Sequence, residues 1–416
     1  MEDNNDKLLD EKNEAGQAHP QDFALPQDIQ HLILASLPGR LVLKRRRVCR
    51  FWRDCIEEPG FIDRHLSNAL RFHKSIACFT SVDGGLVHMY TFDPTTMNFK
   101  SMDLVFSCRF QMSGPCNGLV CSYDLKGAPE VFNPTTRKHL ELPVSEIQSQ
   151  SLFSEYFLGF VQSTKQYKVV GVCHRVRSLT FEVCTVGTLS WRAVRESADL
   201  LKSTKAVIVN DVMHWLLLDE ASSHFTRKIL LLNLTDEKFS ETSVPDAVKD
   251  RDLELFEGEG KLHLWSNAGK GSASTVSEIW VANSTCQVWM HMHTIYFPIP
   301  AGMRPLFLHK KKLFYSDQIR FSYFDLQDGS DYYVSMPFGE SIISSGVFVE
   351  SFLVPSVTGL VNSTTSAQSS HHGAGSSSVG PGNSSALTGW SLPKVFQSFK
   401  QAKRKVNMEW RMTRVA

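Results

Sequence analysis

The chain has almost no net charge. Its 44 Lys and Arg stand against 43 Asp and Glu, a formal +1 over 416 residues. That balance argues against bulk electrostatic binding to nucleic acid or to an anionic membrane. No run of 18 apolar residues occurs, so no transmembrane helix is expected. The first 24 residues carry seven acids and two lysines without an apolar stretch. This is not the pattern of a secretory signal, and a cytoplasmic or nuclear location is expected. The nine cysteines form no CxxC pair, so neither a zinc ribbon nor a thioredoxin-type motif is present; most read as small buried hydrophobes. GxSxG, HExxH, P-loop and strand-turn-helix GxGxxG motifs are also missing. His291-Met292-His293 offers two imidazoles on one strand face, but no third ligand accompanies them. The sequence therefore implies no catalytic residue, no metal and no cofactor.

What is present divides into segments. With 42% hydrophobic and 21% charged residues, the chain has the means to fold as two or three domains. Residues 1–23 are acidic and polar, as in a disordered terminus. Residues 24–71 carry Leu, Ile and Val at helical spacing. Residues 75–355 are rich in Phe, Val and Thr, with turn residues every eight to twelve positions, the pattern of all-β structure. Residues 356–389 are Ser, Gly and Thr, the composition of a flexible linker. In 390–416, Leu392, Val395, Phe396 and Phe399 lie among lysines at i, i+3, i+4 and i+7. That spacing suits a basic amphipathic helix, and Lys403-Arg404-Lys405 also suits an import signal.

In the helical segment, Leu25-Pro26 opens a first helix with Ile29, Leu32, Ile33 and Leu37 on one stripe. Pro38-Gly39 breaks it, Leu41, Val42 and Leu43 follow, and Val48, Trp52, Cys55 and Ile56 form a third stripe ended by Pro59. Phe61, Ile62, Leu66 and Leu70 suggest a fourth helix. Fewer than 50 residues make a marginal core, so some of this apolar surface must meet the β region or a partner. The run Leu25-Pro26, Ile29, Ile33-Leu34, Leu37-Pro38, then Val48-Cys49-Arg50 and Trp52, resembles an F-box in the form common in plants. Gly39 stands where a β-branched residue is usual, and Arg45 where an apolar one is. The resemblance implies docking on a Skp-type adaptor, and through it on cullin and RING subunits of a ubiquitin ligase. The implied adaptor-binding residues are Leu25, Pro26, Ile29, Ile33, Leu34, Leu37, Pro38, Val42, Leu43, Val48, Cys49 and Trp52, some by contact and some by holding the helices. Lys44-Arg45-Arg46-Arg47, with Arg50 and Arg53, reads as the solvated face of the second and third helices.

In the β segment one unit recurs: a β-run, a turn, a second β-run. The turns sit at 93, 133, 185, 233, 283 and 325, separated by 40, 52, 48, 50 and 42 residues. That spacing is the range of propeller blades. Asn or Asp fills five of the six turns, where its side chain can accept from the backbone two residues on. A six-bladed β-propeller is expected, with a pair of β-sandwiches as the rival. Leu119–Ser122, Lys168–Val172, Val207–Trp215 and Lys261–Trp265 are the inner-strand candidates, and Gly346–Pro355 is expected to close the ring on the first blade. The propeller is expected to fold without residues 1–70, because blades contact their neighbours. The stretch 114–121 with Asn117-Gly118, Asn133-Pro134 with Thr136-Arg137, Leu142-Pro143 and Val349–Phe352 resembles the kelch-like domain associated with plant F-boxes. That domain is taken to hold a protein substrate. The fold class is thus a small helical module followed by an all-β propeller. The function expected is a non-catalytic substrate receptor of an SCF-type ubiquitin ligase, and the alternative is an interaction scaffold without degradation.

Overall fold

The computed structural model describes residues 25–356, apart from 83–85, 108–110, 125–126, 177, 198–199, 202–204, 219–226, 268–275, 297–302, 318–319 and 337–341. The acidic segment 1–23, the linker beyond residue 356 and the basic segment 390–416 lie outside the described residues. The chain begins with four helices, α1 (Gln27–Ala35), α2 (Gly39–Arg45), α3 (Arg50–Glu57) and α4 (Pro59–Phe72). Pro26 and Pro38 cap α1 and α2, and Pro59 sits in the first turn of α4. The N–H that proline lacks would have no intrahelical partner at these places. Three contacts from α4 and the residue that follows it satisfy carbonyls at the end of α1 and just beyond it: His65 Nε2 to Leu37 O at 3.0 Å, Asn68 Nδ2 to Ala35 O at 3.0 Å and His73 Nε2 to Ser36 O at 2.9 Å.

Antiparallel sheets follow. β1 (Ser75–Val82), β2 (Leu86–Asp93) and β3 (Asn98–Ser107) start the first. β4 (Gln111–Met112), β5 (Val120–Tyr123), β6 (Glu130–Asn133) and β7 (Lys138–Glu141) make the second. After a short helix, α5 (Glu146–Ser149), come β8 (Phe153–Val161), β9 (Gln166–His174), β10 (Leu179–Thr185) and β11 (Trp191–Ser197). The fourth sheet holds β12 (Leu200–Leu201), β13 (Val207–Val209), β14 (Val212–Leu218), β15 (Arg227–Asn233) and β16 (Phe239–Ser243). The last is eight-stranded. One meander is β17 (Asp252–Gly258), β18 (Lys261–Asn267), β19 (Ser277–Ala282) and β20 (Trp289–Ile295). The other is β21 (Arg304–His309), β22 (Lys312–Ser316), β23 (Phe321–Asp325) and β24 (Asp331–Val334). The two meet through a short parallel pairing of β17 with β21, Glu257 opposite Phe307 and Gly258 opposite Leu308. β25 (Ile342–Phe348) then pairs with β1, Ser75 opposite Phe348, so chain end and chain start share a sheet. The β region is therefore propeller-like, built from four separate sheets and one eight-stranded curl.

The recurring turns have one design. Oδ1 of Asp93, Asn133, Asn233 and Asp325 accepts from the N–H two residues on, at 2.8–2.9 Å. Asn283 Oδ1 accepts from Gln287 and Val288 instead. Four residues after the turn position stands a residue in the left-handed region: Met97, Arg137, Leu189, Glu237 and Gly329; in the remaining turn, at 283, it is Cys286, three on. Asn117-Gly118 forms the tight hairpin expected, with Cys116 and Leu119 exchanging N–H···O bonds at 2.8 and 2.9 Å. Gly118 has φ +85°, and a Cβ there would lie 2.6 Å from Val349 O, so only glycine fits.

The runs expected as inner strands all form strands with neighbours on both sides. Leu119–Ser122, Lys168–Val172, the second half of Val207–Trp215 and Lys261–Trp265 become β5, β9, β14 and β18, each second in its sheet behind β4, β8, β13 and β17. A second strand is covered on both faces, and its near-continuous apolar run reflects that. Apolar clusters fill the spaces between neighbouring sheets and between the two meanders of the eight-stranded sheet: Phe79 with Met112, Leu119 with Tyr156, Phe181 with Trp215, Leu231 with Leu255, Trp265 with Tyr315, and Phe314 with Phe92.

The helices and the β region share side chains. The segment after β25 leaves the sheet, and Phe352 enters the helical core among Leu34, Ala35, Val42, Cys55, Ile56 and Phe61. Its ring lies 4.6 Å from that of His65. On either side, Ser351 and Leu353 turn to the β region, where the buried Asn133 side chain donates to both their carbonyls at 3.0 and 2.9 Å. Ile62 and Leu66 of α4 pack on the cluster of Leu119 and Tyr156. The expectation that the β region folds independently of residues 1–70 thus meets a joint that buries apolar groups from both parts.

Candidate partner-docking site

The position of Gly39 is explained by the same joint. A Cβ on Gly39 would lie 2.9 Å from Cβ of Glu350. Without it, the Glu350 carboxylate reaches the start of α2, accepting from the Arg40 N–H at 2.6 Å and pairing with Arg40 Nε at 2.5 Å. A carboxylate at a helix start meets backbone donors that have no intrahelical partner. Gly39, one of the two residues noted above as unusual, thus lies against the closing segment.

Residues singled out by sequence divide by exposure. Leu34 and Val42 are fully buried and face the helical core. Leu37, Leu43 and Trp52 are half-buried and pack against that core. Pro38 is also half-buried, while Pro26 and Cys49 are exposed. Cys49 Sγ accepts from the Trp52 N–H at 3.4 Å and so caps α3. Trp52 Nε1 donates to Gln30 Oε1 at 2.7 Å, and the His31 ring lies 5.4 Å from that of Phe51, which together hold α3 beside α1. The remainder face solvent: Leu25 is 54% exposed, Ile29 41%, Ile33 43% and Val48 59%. Leu32 and Leu41 are exposed as well and belong with them. Both stood in the apolar spacing; only the burial of their neighbours distinguishes them as surface residues. Such a concentration of exposed large apolar groups on one small module is the mark of an interaction site. Arg45, Arg50 and Arg53 are exposed on α2 and α3, and Arg47 is exposed in the turn between them.

The β region also holds a concavity of about 870 Å³, whose lining mixes Lys74 and Lys205 with Asp211 and Glu257 and so has no single charge sign. At the His291 and His293 pair, His291 Nε2 bonds Thr294 Oγ1 at 2.9 Å. No cluster of three His, Cys, Asp or Glu side chains suited to a metal occurs among the described residues. Nor is any helix among them long and apolar enough to cross a membrane.

The sequence pattern of the F-box associated beta propeller domain matches residues 69–311, more than half of the chain. The chain belongs to this family. The match begins in the last turn of α4 and ends at the β21–β22 turn, so it spans most of the β region, while Glu350 and Phe352 of the joint lie outside it. Among relatives from Arabidopsis thaliana, the F-box protein At3g07870 is 24% identical over 330 residues, 69% of this chain and 77% of that protein. The F-box protein At5g65850 is 26% identical over 226 residues, covering 52% and 55%. The F-box/kelch-repeat protein At3g23880 is 22% identical over 248 residues, covering 53% and 65%. The family and these relatives agree with a plant-type F-box protein whose C-terminal domain is a propeller.

Proposed function

We propose that the chain is the substrate-recognition subunit of an SCF-type cullin–RING ubiquitin ligase. Its helical module docks on a Skp-type adaptor through Leu25, Ile29, Ile33 and Val48, while Leu34, Leu37, Val42 and Leu43 hold the helices in place. The observation that carries this reading is the exposed apolar stripe of α1, which no other described part of the chain covers. Apolar residues at i, i+3 and i+4 on an exposed helix suit helix-and-groove recognition. The β region is read as six blades, because six apolar clusters separate neighbouring sheets once the eight-stranded sheet is divided into its two meanders at β17 and β21. It captures a protein target, and the subunit acts by raising the local concentration of that target beside the ligase. This task needs no catalytic residue, metal or cofactor of its own. The test is adaptor pull-down by an Ile29→Ala, Ile33→Ala double variant. Truncating contact residues of this kind costs about 1–2 kcal/mol each, so capture falls at least tenfold while thermal stability is kept. Equal capture by the variant and the unaltered chain refutes the reading.

A further inference from the structure

We propose that residues 1–24 fold back over the exposed face of α1–α3 and compete with the partner that docks there. This inference rests on the docking role assigned to that face above. Between residues 25 and 74 the chain has ten Lys or Arg and five Asp or Glu. Arg46 pairs with Glu57, but Lys44, Arg45, Arg47, Arg50 and Arg53 are exposed and none pairs with an acid among the described residues. The preceding 24 residues have the opposite composition, seven acids against two lysines. The two excesses are equal in size and opposite in sign.

The apolar content matches as well. Leu8-Leu9 sits between Asp6 and Asp10-Glu11, and Phe23 lies two residues before Leu25. The face offers Ile29, Leu32, Ile33 and Val48 to such side chains. Connection supplies the rest of the argument. The segment enters the structure at Leu25, itself more than half exposed and at the start of α1. At about 3.3 Å per residue, 24 residues reach across any part of this module. A short tether holds the segment at roughly millimolar effective concentration. At 0.15 M salt, charges are screened beyond about 8 Å, so only a segment lying on the face gains from these arginines. Individual surface ion pairs are weak, which suits a cover that a partner displaces.

The test uses the full chain and a variant with Glu2→Gln, Asp3→Asn, Asp6→Asn, Asp10→Asn, Glu11→Gln, Glu14→Gln and Asp22→Asn. Hydrogen exchange of α1 and α3 is read without any adaptor, at 50 mM and 500 mM salt. We expect these helices to exchange about five-fold faster in the variant at low salt, and high salt to abolish the difference. Arg45→Gln with Arg47→Gln in the unaltered background produces the same release. A matching gain in affinity for purified adaptor follows. Unchanged exchange in both variants overturns the proposal. Protection that survives neutralisation and grows with protein concentration assigns the face to a second copy of the chain, and also overturns it. The exchange measurement involves no adaptor, so a failure of the adaptor reading leaves it intact. Adaptor binding that is normal in every variant, with exchange unchanged, sinks only this inference.

Discussion

Phe352 is the side chain through which the β region enters the helical core, and truncating it separates two accounts of the molecule. The residue is 4% exposed and contacts the rings of Phe61 and His65. Phe→Ala at such a site costs about 3–5 kcal/mol, from lost burial and from the cavity left behind. The module around it has only four short helices, so little else compensates. In Phe352→Ala, protection of α1–α4 against hydrogen exchange should fall by roughly 100- to 3,000-fold, taking about 1.4 kcal/mol per decade. The strand β14 packs among Phe181, Leu230 and Leu255 and has no contact with this site. Its exchange should be nearly unchanged. The assay is exchange mass spectrometry at constant pH with peptide coverage of both regions. An equal rise in β14 would mean that the chain opens as a single unit, and no rise anywhere would mean that the ring contributes nothing. Either result refutes the account of a locally anchored module.

Asn133 and Asn233 occupy the same turn position, yet Asn133→Ala should cost about 2–3 kcal/mol more than Asn233→Ala by denaturant titration, because only Asn133 also satisfies the buried carbonyls of Ser351 and Leu353. Burial lowers the His214 pKa to about 4, against 6.5 for the free side chain. The unfolded chain then binds the extra proton, and stability falls as pH drops from about 6.5 towards 4, by on the order of 3 kcal/mol from this residue. His214→Gln should flatten the melting temperature against pH in that window, and parallel curves for the two proteins would refute the assignment. A fragment of residues 75–356 should be less soluble than the full chain, since it exposes Phe352 and the surface beneath Ile62 and Leu66; Phe352→Ser should restore its solubility, as read by light scattering.

Much of this architecture is legible in the chain because its signals are local. Proline at 26, 38 and 59 delimits the helices by denying a backbone donor. Asn or Asp at 93, 133, 233, 283 and 325 closes each turn on its own next residues, and the spacing between them exposes the repeat. The apolar stripes of α1 and α3 follow from 3.6-residue periodicity. Which stripe faces outward does not, since Ile33 and Leu34 are adjacent and equally apolar, yet one is exposed and the other fully buried. That choice is made by Phe352, which fills one side of the module. The joining of two meanders at β17 and β21 was equally hidden, because the pairing spans only two residues in each strand. Gly39 reads from sequence as a helix breaker, but in the fold it is the opening through which Glu350 caps α2, a contact made between residues 310 positions apart. Local spacing cannot encode such a contact, because it exists only once the sheets have carried the end of the chain back to its beginning.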